Sequence, residues 1–303
     1  MVLKTVAVTG ASGMLGRHIL AALDAHEFRA IACGRGGRSA SMRIWNLTQW
    51  KTDAEFDSVF ESADAIVHAG ASVPSAGRQV AEAGLFDANV RAPANLGGWA
   101  RRRGLPVVFI SGAIVYAKQS DASIRESAPL GWSGFGGFYG LSKLLAEDVL
   151  RREEQAGLRL AVLRPTSIYG HGLGAGKIVT SIATRAGAGE VIELAEPVAD
   201  STNFIHAADV ASGIVKVLQG EAWRTFNIAT PANTSVLELA QTCVAAAGKG
   251  RVEIRKGDGA PRAATTRFRL DCEAARQQLG WAPRVDLSEG IRSMLEKTAI
   301  VVS

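Results

Sequence analysis

Three glycines spaced three residues apart follow the first apolar segment of the chain. Gly10, Gly13 and Gly16 come directly after residues 5–9, which have the length and β-branched content of a buried strand. Residues from 14 to about 23 then show the pattern of a helix. A strand, a tight glycine turn and a helix N-terminus in this order bind the pyrophosphate of a dinucleotide, because free helix N–H groups and a close backbone suit an anion. The sequence therefore predicts a site for NAD(H) or NADP(H). The contacts expected in this loop are Gly10, Ser12, Gly13, Met14, Leu15 and Gly16.

The residue that follows the second predicted strand bears on the choice between the two cofactors. Residues 29–33 form that strand, and Arg35 stands near its end. A site that selects NAD usually carries a carboxylate there, which holds the hydroxyls of the adenosine ribose. A guanidinium instead matches a phosphate in geometry and charge. Arg35 therefore favours NADP(H) over NAD(H), and a solvated loop arginine is the alternative interpretation.

Apolar runs of strand length alternate with helical patterns through the first half of the chain. The predicted strands cover residues 5–9, 29–33, 65–68, 107–111 and 160–164. Such alternation, with long crossovers, predicts an α/β fold with a doubly wound parallel sheet of the Rossmann type. The near-continuous apolar character of the fourth predicted strand indicates a central position, covered by helices on both faces.

The pattern changes after about residue 170, where a glycine-rich stretch precedes short elements without strict alternation. We expect a smaller α/β C-terminal region there that binds the substrate and packs on the first region to make a cleft. The expected NAD(P)-binding domain comprises residues 1–170 and about 203–229. The expected substrate-binding region comprises about 171–202 and 230–303. A glycine-rich and aromatic segment, residues 131–137, is expected to form a loop over the cleft.

The charge of the chain limits the class of partner. There are 34 basic and 29 acidic residues, which gives a formal net charge of +5. Only residues 101–103 form a basic run, and no basic stripe interleaved with aromatic residues accompanies it. We therefore expect a small-molecule substrate that carries phosphate, and no nucleic-acid partner.

The cysteines and the apolar segments indicate the compartment. Cys33, Cys243 and Cys272 lie far apart and show no metal-ligand spacing, which predicts buried thiols in a reducing environment and no metal site. The chain shows neither the pattern of a signal peptide nor an apolar run of membrane-spanning length. The expectation is a cytoplasmic protein without a membrane partner.

A phenol and an amine lie four residues apart in the middle of the chain. Tyr139 and Lys143 fall on one face of a helix that is predicted to run toward residue 152. A tyrosine titrates near pH 10, and a neighbouring ammonium favours its phenolate. The phenol could then exchange a proton with a substrate alcohol near neutral pH. Downstream of a dinucleotide loop and a fourth parallel strand, this pair predicts an acid/base role in oxidoreduction.

Several further segments agree with the loop and with the tyrosine–lysine pair. They are His68-Ala69-Gly70-Ala71, Asn89-Val90, Ser111 with Val115-Tyr116, Leu163-Arg164-Pro165-Thr166-Ser167-Ile168-Tyr169-Gly170, Asn203-Phe204-Ile205-His206, Asp209-Val210, Phe226-Asn227-Ile228 and Leu279-Gly280-Trp281-Ala282-Pro283. With these markers, the sequence resembles the extended short-chain dehydrogenase/reductase family along nearly its whole length. That family comprises the NAD(P)-dependent sugar epimerases and dehydratases.

The resemblance implies roles for individual residues. Tyr139 is then the general acid/base, and Lys143 binds the nicotinamide ribose and lowers the pKa of the tyrosine. Hydride moves between the nicotinamide and a sugar carbon. Further cofactor contacts are implied at Asn46, Leu47, Ala69, Gly70, Ala71, Pro165 and Thr166. Substrate contacts are expected at Tyr116 and Ser167, whereas His68, His206 and Trp281 are expected to be structural. The resemblance also implies a homodimer that pairs through helices at about 85–103 and 143–154.

The sequence departs from the family pattern at the third catalytic group. Family members carry a Ser or Thr four residues before Tyr116, and Gly112 stands there instead. Loss of one such hydrogen-bond donor typically costs on the order of 10²–10³ in rate. Ser111 is the candidate replacement, although neighbouring residues on a strand point to opposite faces. Thr166 or a water molecule in the cleft is the alternative donor.

A second departure concerns the phosphates of the substrate. Members that act on sugar nucleotides carry an arginine just before the segment at 203–206, and this chain has Thr202 and Asn203 there. Arg262 or Arg267 could take that role, because relatives place an arginine before the final strand and helix. A solvated surface arginine is the alternative for each.

The leading functional interpretation is an NAD(P)-dependent oxidoreductase that acts on a sugar, most plausibly a nucleotide sugar, as an epimerase or a keto reductase. Dehydration is disfavoured, because Ala113 and Ile114 stand where dehydratases carry Asp and Glu. One alternative is a reductase of a small carbonyl compound without a nucleotide. The other is a non-catalytic NAD(P)-binding sensor or scaffold protein, for which Gly112 is the main argument and the retained Tyr139 and Lys143 are the main objection.

Overall fold

The structure is a computed structural model that describes residues 4–36, 41–74, 80–117, 123–134, 136–196, 198, 201–220, 222–256, 269–298 and 300–302. Its strands are β1 (Thr5–Thr9), β2 (Arg29–Gly34), β3 (Arg43–Ile44), β4 (Ala65–His68), β5 (Val107–Ile110), β6 (Ser123–Ile124), β7 (Leu160–Pro165), β8 (Ser167–Tyr169), β9 (Val191–Ala195), β10 (Ser201–Thr202), β11 (Phe204–His206), β12 (Thr225–Ile228), β13 (Thr234–Ser235), β14 (Arg251–Arg255) and β15 (Arg269–Leu270). Its α-helices are α1 (Met14–Ala25), α2 (Asp53–Val59), α3 (Glu82–Phe86), α4 (Ala92–Arg103), α5 (Gly137–Gln155), α6 (Ile178–Gly187), α7 (Ala207–Gln219), α8 (Val236–Ala247), α9 (Glu273–Leu279) and α10 (Leu287–Glu296). A π-helical turn (Asp87–Arg91) joins α3 to α4, and a 3-10 turn (Ala113–Val115) follows β5.

A parallel sheet of seven strands dominates the described part of the chain. Its strand order is β12-β7-β5-β4-β1-β2-β3, and every pair of neighbours is parallel. The order reverses at β1, because β2 continues to one side of it and β4 to the other. The predicted doubly wound sheet is therefore confirmed. Ligands of such sheets bind at the carboxyl ends of the strands, at the point of reversal. We call this edge of the sheet the carboxyl edge.

The predicted strands agree with the structure except at some of their ends. The observed bounds of β1 and β4 are the predicted ones, while β2 and β7 each extend one residue further. The fourth predicted strand ends one residue early, since β5 stops at Ile110. Ser111 still donates its N–H to the Leu163 carbonyl oxygen at 2.9 Å, but the chain then turns away toward the 3-10 turn. Ser111 thus lies just beyond the strand.

Two apolar clusters cover the two faces of this sheet. Successive residues of a strand face opposite sides, so that Val6 and Val8 lie in one cluster and Ala7 in the other. Helices α1, α7 and α9 contribute to the first cluster, whereas α2, α4 and α5 contribute to the second. Trp281 also belongs to the first cluster, and its Nε1 donates to the Asp209 carbonyl oxygen and to Ser212 Oγ, each at 3.0 Å. Helix α9 and Trp281, which the expected boundary assigns to the C-terminal region, thus contribute to the core of the sheet.

The C-terminal region has an apolar cluster of its own. Ile182 of α6, Leu239 of α8 and Ile291 of α10 pack together in it, and Tyr169 and Phe204 reach it from β8 and β11. Strands β9 and β14 form a parallel pair at this cluster. None of the helices in the described part of the chain combines the length and the apolar character that crossing a bilayer requires.

The three cysteines are free thiols. Cys33 and Cys243 are buried and Cys272 is partly exposed. Desolvation raises the pKa of each thiol to about 12, which keeps the sulfur protonated and unreactive near neutral pH. They are therefore packing residues, as their spacing predicts.

Candidate active site

The glycine loop between β1 and α1 leaves no room for a side chain at Gly10 or Gly16. Gly10 has a φ of +70°, and a Cβ there would lie 2.7 Å from the Gly70 Cα. A Cβ on Gly16 would overlap the Gly10 carbonyl oxygen. The N–H of Gly13 donates to that same oxygen at 2.9 Å, which closes the turn. The loop is thus a backbone cradle of the kind that a pyrophosphate requires.

The N-terminus of α1 faces this cradle, and no side chain among the described residues caps it. Gly13 is the N-cap, no side chain caps the helix, and its first turn holds no acidic residue. Ser12 and Gly13 are exposed, and Met14 and Leu15 are partly buried. The positive end of the helix dipole and its free N–H groups therefore suit a bound anion. This part of the site fits the pyrophosphate of NAD(P).

The loop after β4 packs directly on the glycine loop. Thr9 Oγ1 accepts a hydrogen bond from the Gly70 N–H at 3.2 Å and lies 2.8 Å from His68 Nδ1. Ala69 and Ala71 flank the buried Gly70 and are each partly exposed. The two loops therefore form one surface at the carboxyl edge, where the implied cofactor contacts lie side by side.

The segment after β3 closes this surface from the other side. A Cβ on Gly70 would lie 3.0 Å from Leu47 Cδ1, so Leu47 packs against the loop after β4. Asn46 shapes the turn that carries Leu47, because its Oδ1 accepts from both the N–H and the hydroxyl of Thr48. Leu47 thus reaches the implied cofactor surface, while Asn46 stabilises the turn that positions Leu47.

Arg35 stands at the end of β2 and is exposed. Gly34 before it lies close to the glycine loop, since a Cβ on Gly34 would be 3.6 Å from Ser12 Oγ. The backbone of Arg35 therefore lies at the carboxyl edge beside the glycine loop, where the adenosine ribose of a dinucleotide would bind.

His68 and His206 have structural surroundings, as expected. His68 is buried, with its ring between those of Trp45 and Phe109 at centroid distances of 5.8 and 5.9 Å. Burial, with a smaller effect of the Lys143 charge, lowers the pKa of His68 to about 3. Nδ1 of His206 accepts from the Ala208 N–H at 3.2 Å and caps α7. Neither imidazole supplies an exposed acid or base.

Tyr139 and Lys143 lie in the first two turns of α5, at the carboxyl edge. Lys143 is buried, and its Nζ donates to the Ile110 carbonyl oxygen at 2.9 Å and lies 5.1 Å from the centroid of the Phe109 ring. Desolvation lowers the pKa of Lys143 to about 8, and the charge of Glu147 opposes this effect. Tyr139 keeps part of its surface exposed. The pair therefore combines a held amine with a partly exposed tyrosine.

The expected effect of Lys143 on Tyr139 is not met in this structure. Desolvation raises the pKa of Tyr139 to about 12, and no opposing contribution from Lys143 accompanies it. The reason is geometric, because the amine is bound to the Ile110 carbonyl oxygen instead of the phenol. In the protein without ligand, Tyr139 is a neutral phenol that can donate a proton.

Ser111 carries a buried hydroxyl that has no partner among the described residues. Thr166, the alternative donor, is already engaged, because its hydroxyl donates to Asn203 Oδ1 at 2.8 Å. Gly112 has extended backbone, and a Cβ there would meet Ile114 Cγ2 at 3.7 Å and the Pro165 carbonyl oxygen at 3.8 Å. Such distances are ordinary van der Waals contacts. Ser111 is thus the hydroxyl that remains available, and the missing Ser or Thr is not excluded by space.

Tyr116 is a correction to the expected substrate contacts. Its side chain is fully buried, its hydroxyl donates to Asn227 Oδ1 at 2.6 Å, and it accepts from Arg164 Nη1 at 3.0 Å. Both hydrogen-bonding capacities of the phenol are therefore used inside the protein. Tyr116 is a structural residue, and the expectation that it touches substrate is wrong.

The remaining expected residues differ in their placement. Pro165 is the last residue of β7, at the carboxyl edge. Thr166 follows it and is buried. Ser167 begins β8 with an exposed side chain. Arg262 and Arg267 lie outside the described residues.

Sequence reasoning missed the supporting contacts that several polar residues make at this site. Asn89, in the π-helical turn, accepts from the Ser72 N–H at 2.7 Å and donates to the Ser72 carbonyl oxygen and to Ser142 Oγ. Asn89 thereby ties α5 to the loop after β4. A second set, formed by Arg164 and Glu147 with Tyr116, is fully buried. Glu147 could have been noticed, because it follows Lys143 by one helical turn on the same face of the helix.

The arrangement combines a backbone cradle for phosphates with a proton donor and a buried amine. It can bind a dinucleotide across the carboxyl edge and exchange a proton with an oxygen held near Tyr139. Within the described part of the chain, no group of three or more His, Cys, Asp or Glu side chains is placed to hold a metal ion.

Comparison with known proteins agrees with this arrangement. Residues 6–229 match the NAD dependent epimerase/dehydratase family. The chain is 28% identical over 319 residues to a dTDP-4-dehydro-6-deoxy-D-allose reductase of a Streptomyces species, covering 98% of this chain and 95% of the relative.

Two solved structures show the same fold. The UDP-glucose 4-epimerase of Thermus thermophilus in complex with NAD has a TM-score of 0.79 at 22% identity, covering 97% of this chain and 98% of that one. The structure of RMD from Pseudomonas aeruginosa with NADPH has a TM-score of 0.80 at 22% identity, covering 97% of each chain.

Proposed function

Because the chain belongs to the NAD-dependent epimerase/dehydratase family, we propose that it is an oxidoreductase that transfers hydride to or from a carbon of a nucleotide-linked sugar. The placement of Tyr139 and Lys143 on α5, at the same carboxyl edge of the sheet as the glycine loop, carries this proposal. An intact acid/base pair at a dinucleotide site has no use in a protein that only senses or scaffolds.

The bound NAD(P) supplies or accepts the hydride. The free N–H groups at the start of α1, beside Gly10 and Gly13, would hold the pyrophosphate. Tyr139 donates its proton to the substrate oxygen as hydride reaches the adjacent carbon, and takes a proton back in the reverse direction. Ser111 donates a hydrogen bond to the same oxygen.

Lys143 has the charge that its role requires. With a pKa of about 8, most of its amine is protonated at neutral pH. The ammonium would then bind a ribose hydroxyl of the cofactor. The resemblance to the family supplies this arrangement of cofactor and amine.

The direction that we propose is reduction of a keto sugar with NADPH. Ala113 and Ile114 lack the acid pair of a dehydratase. Arg35 at the end of β2 favours the additional phosphate of NADP(H). The Streptomyces relative is, by its name, a reductase of a dTDP-linked keto sugar. A small carbonyl compound without a nucleotide is the second candidate, supported by Thr202 and Asn203 where sugar-nucleotide members carry the diphosphate arginine.

The cofactor preference has a direct test at Arg35. Replacement by Ala should weaken NADPH binding about ten- to a hundredfold, the value of a lost charged hydrogen bond, and leave NADH binding nearly unchanged. Fluorescence titration of the reduced nicotinamide measures both. Equal losses for the two cofactors would contradict the assignment.

The homodimer, the cytoplasmic location and the division into two regions are also proposals. Helices α4 and α5 pack along each other in one subunit, and they are the helices that pair subunits in the family. Light scattering of the purified protein tests the dimer, and a monomeric mass would contradict it.

The central experiment combines substrate panels with a matched pair of tyrosine variants. The purified protein is mixed with NADPH or NADH and with dTDP-, UDP- and GDP-linked 4-keto sugars, and in parallel with simple carbonyl compounds. Nicotinamide absorbance reports turnover. We expect oxidation of NADPH with a nucleotide-linked sugar and a loss on the order of 10²–10⁴ in Tyr139→Phe.

Tyr169→Phe is the control, because it removes a hydroxyl that donates to the Asp286 carbonyl oxygen in the C-terminal region. It should retain turnover. Activity with simple carbonyls alone would favour the second candidate. Tight cofactor binding without turnover on either panel would contradict the enzyme proposal.

A further inference from the structure

We propose that Glu147 and Arg164 form a buried ion pair that positions Lys143 and keeps its amine charged for the cofactor. Both are positioning residues, because they act through Lys143 and touch neither cofactor nor substrate. The use of the charged amine in binding a cofactor rests on the proposed function. The geometry of the ion pair does not depend on it.

The ion pair is completely enclosed. The side chains of Glu147 and Arg164 are each 1% exposed, and their closest N–O distance is 2.6 Å. Arg164 Nε also donates to Glu147 Oε1 at 3.0 Å, which makes the contact bidentate. Burying two charges is costly, and well-packed apolar residues often stabilise a fold equally well. The position of the pair therefore calls for a role besides stability.

That position links the acid/base helix to the central sheet. Glu147 lies one turn after Lys143 on α5, and Arg164 lies near the carboxyl end of β7. The remaining Nη1 of Arg164 donates to the Tyr116 hydroxyl at 3.0 Å and to the Glu126 carbonyl oxygen at 3.1 Å. The partners of this guanidinium are thus Glu147 on α5, Tyr116 and Glu126. Because Arg164 itself lies on β7, these contacts fix the position of α5 relative to β7. The fixed helix in turn keeps Lys143 within reach of the Ile110 carbonyl oxygen.

Glu147 is also the group that favours the charged form of Lys143. From β4, the buried His68 is neutral at physiological pH, and from β5 the amine meets the Phe109 ring and a carbonyl oxygen. On α5 itself, Tyr139 is a neutral phenol. Burial lowers the pKa of Lys143, and the carboxylate of Glu147 raises it. Without that carboxylate, the desolvation that lowers the pKa of Lys143 would be unopposed.

The test separates the stability of the fold from the charge of the amine. Glu147→Gln leaves Arg164 buried without a counterion and should lower the melting temperature. The double variant Glu147→Leu with Arg164→Met replaces the pair by apolar residues and should recover most of that loss. Arg151→Gln is the matched control, because Arg151 contacts the same carboxylate at 3.4 Å but is 36% exposed.

The first readout is the titration of Lys143, followed by the NMR shift of ¹³Cε-labelled lysine and assigned with Lys143→Met. Loss of a nearby opposite charge should move the midpoint about one unit or more to lower pH in both Glu147 variants, and not in Arg151→Gln. A native melting temperature and an unchanged midpoint in the double variant would overturn the proposal. A titration midpoint of Lys143 below pH 7 in the wild-type protein would also overturn the proposal, and this measurement needs no variant.

The second readout is turnover. The alkaline limb of kcat should move to lower pH with the titration, while KM for the sugar stays within about twofold, because loss of an interaction made in the transition state lowers kcat. If the double variant recovers both its melting temperature and its turnover, the ion pair has only a structural role. The titration needs no substrate, so a failure of the proposed function would appear in the turnover panels and leave the titration result intact.

Discussion

At the residue scale, Gly112 stands where family members carry the Ser or Thr that donates a hydrogen bond to the reacting oxygen. Its backbone is extended, which any residue adopts, and a Cβ would make only ordinary contacts with Ile114 and the Pro165 carbonyl oxygen. Neither strain nor crowding therefore explains the glycine. The buried, unpartnered hydroxyl of Ser111 lies next to it in the chain.

Two substitutions test how the site replaces the missing donor. Ser111→Ala should lower kcat on the order of 10²-fold if this hydroxyl binds the reacting oxygen. Gly112→Ser should raise kcat, because it adds a donor at the position where relatives carry one, and Gly112→Ala controls for the added Cβ. Steady-state kinetics on the accepted keto sugar measures all three. Equal rates for the Ser and Ala variants at position 112, with an unaffected Ser111→Ala, would contradict this view.

At the scale of elements, the contact between the glycine loop and α1 is the most sterically constrained feature of the site. A Cβ on Gly16 would overlap a backbone oxygen, which cannot rotate away as a side chain can. The loop and the helix therefore have to separate if any larger residue is placed there, and the phosphate cradle opens with them.

Gly16→Ala should consequently lose both stability and cofactor affinity. Overpacking of this kind costs about 1–3 kcal/mol in unfolding free energy. We expect NADPH to bind at least about tenfold more weakly, since a loss of 1.4 kcal/mol in binding corresponds to a factor of ten. Gly174→Ala is the control, because nothing lies within 4 Å of a Cβ there. Urea unfolding and fluorescence titration give the two values, and parallel behaviour of both variants would contradict the steric argument.

At the scale of the whole molecule, buried imidazoles make the fold sensitive to acid. Burial, and secondarily the charge of His18, lowers the pKa of His206 to about 3. An unfolded histidine titrates near pH 6.5. Between these values the unfolded chain binds more protons than the folded one, so the free energy of unfolding falls as the pH decreases from about 6.5 toward 3.

His206→Asn should reduce this sensitivity. The amide oxygen of Asn can accept the Ala208 N–H in place of the imidazole, so the cap of α7 is kept while the titrating group is removed. Urea unfolding at pH 7, 5.5 and 4.5 should give a shallower loss of stability than in the wild type. His26→Asn, at the partly exposed C-cap of α1, should follow the wild type. An unchanged slope in His206→Asn would contradict the linkage.

The sequence was sufficient for the features that depend on local pattern. The order of glycines, the strand bounds at β1 and β4, and the single helix that carries Tyr139 and Lys143 each follow from residues close in the chain. The doubly wound sheet follows from their alternation.

What the sequence could not show depends on distant partners. Tyr116 is separated by 48 residues from Arg164 and by 111 from Asn227, and those two contacts convert an apparent substrate residue into a buried one. The raised pKa of Tyr139 is a result of packing around the phenol, which no spacing reveals. The role of Glu147 likewise required the observation that Arg164 reaches it from the sheet.

The path of the chain through its two regions has an evolutionary consequence. After leaving the sheet at β7, the chain returns with α7 onto the first apolar cluster and places β12 at the edge of the sheet. It then leaves again and brings α9 back onto the same cluster. Asn227 Nδ2 then joins the Ile124 and Asp271 carbonyl oxygens, each at 2.9 Å. A gene segment encoding the C-terminal region cannot be exchanged as a cassette, because it includes part of the first core.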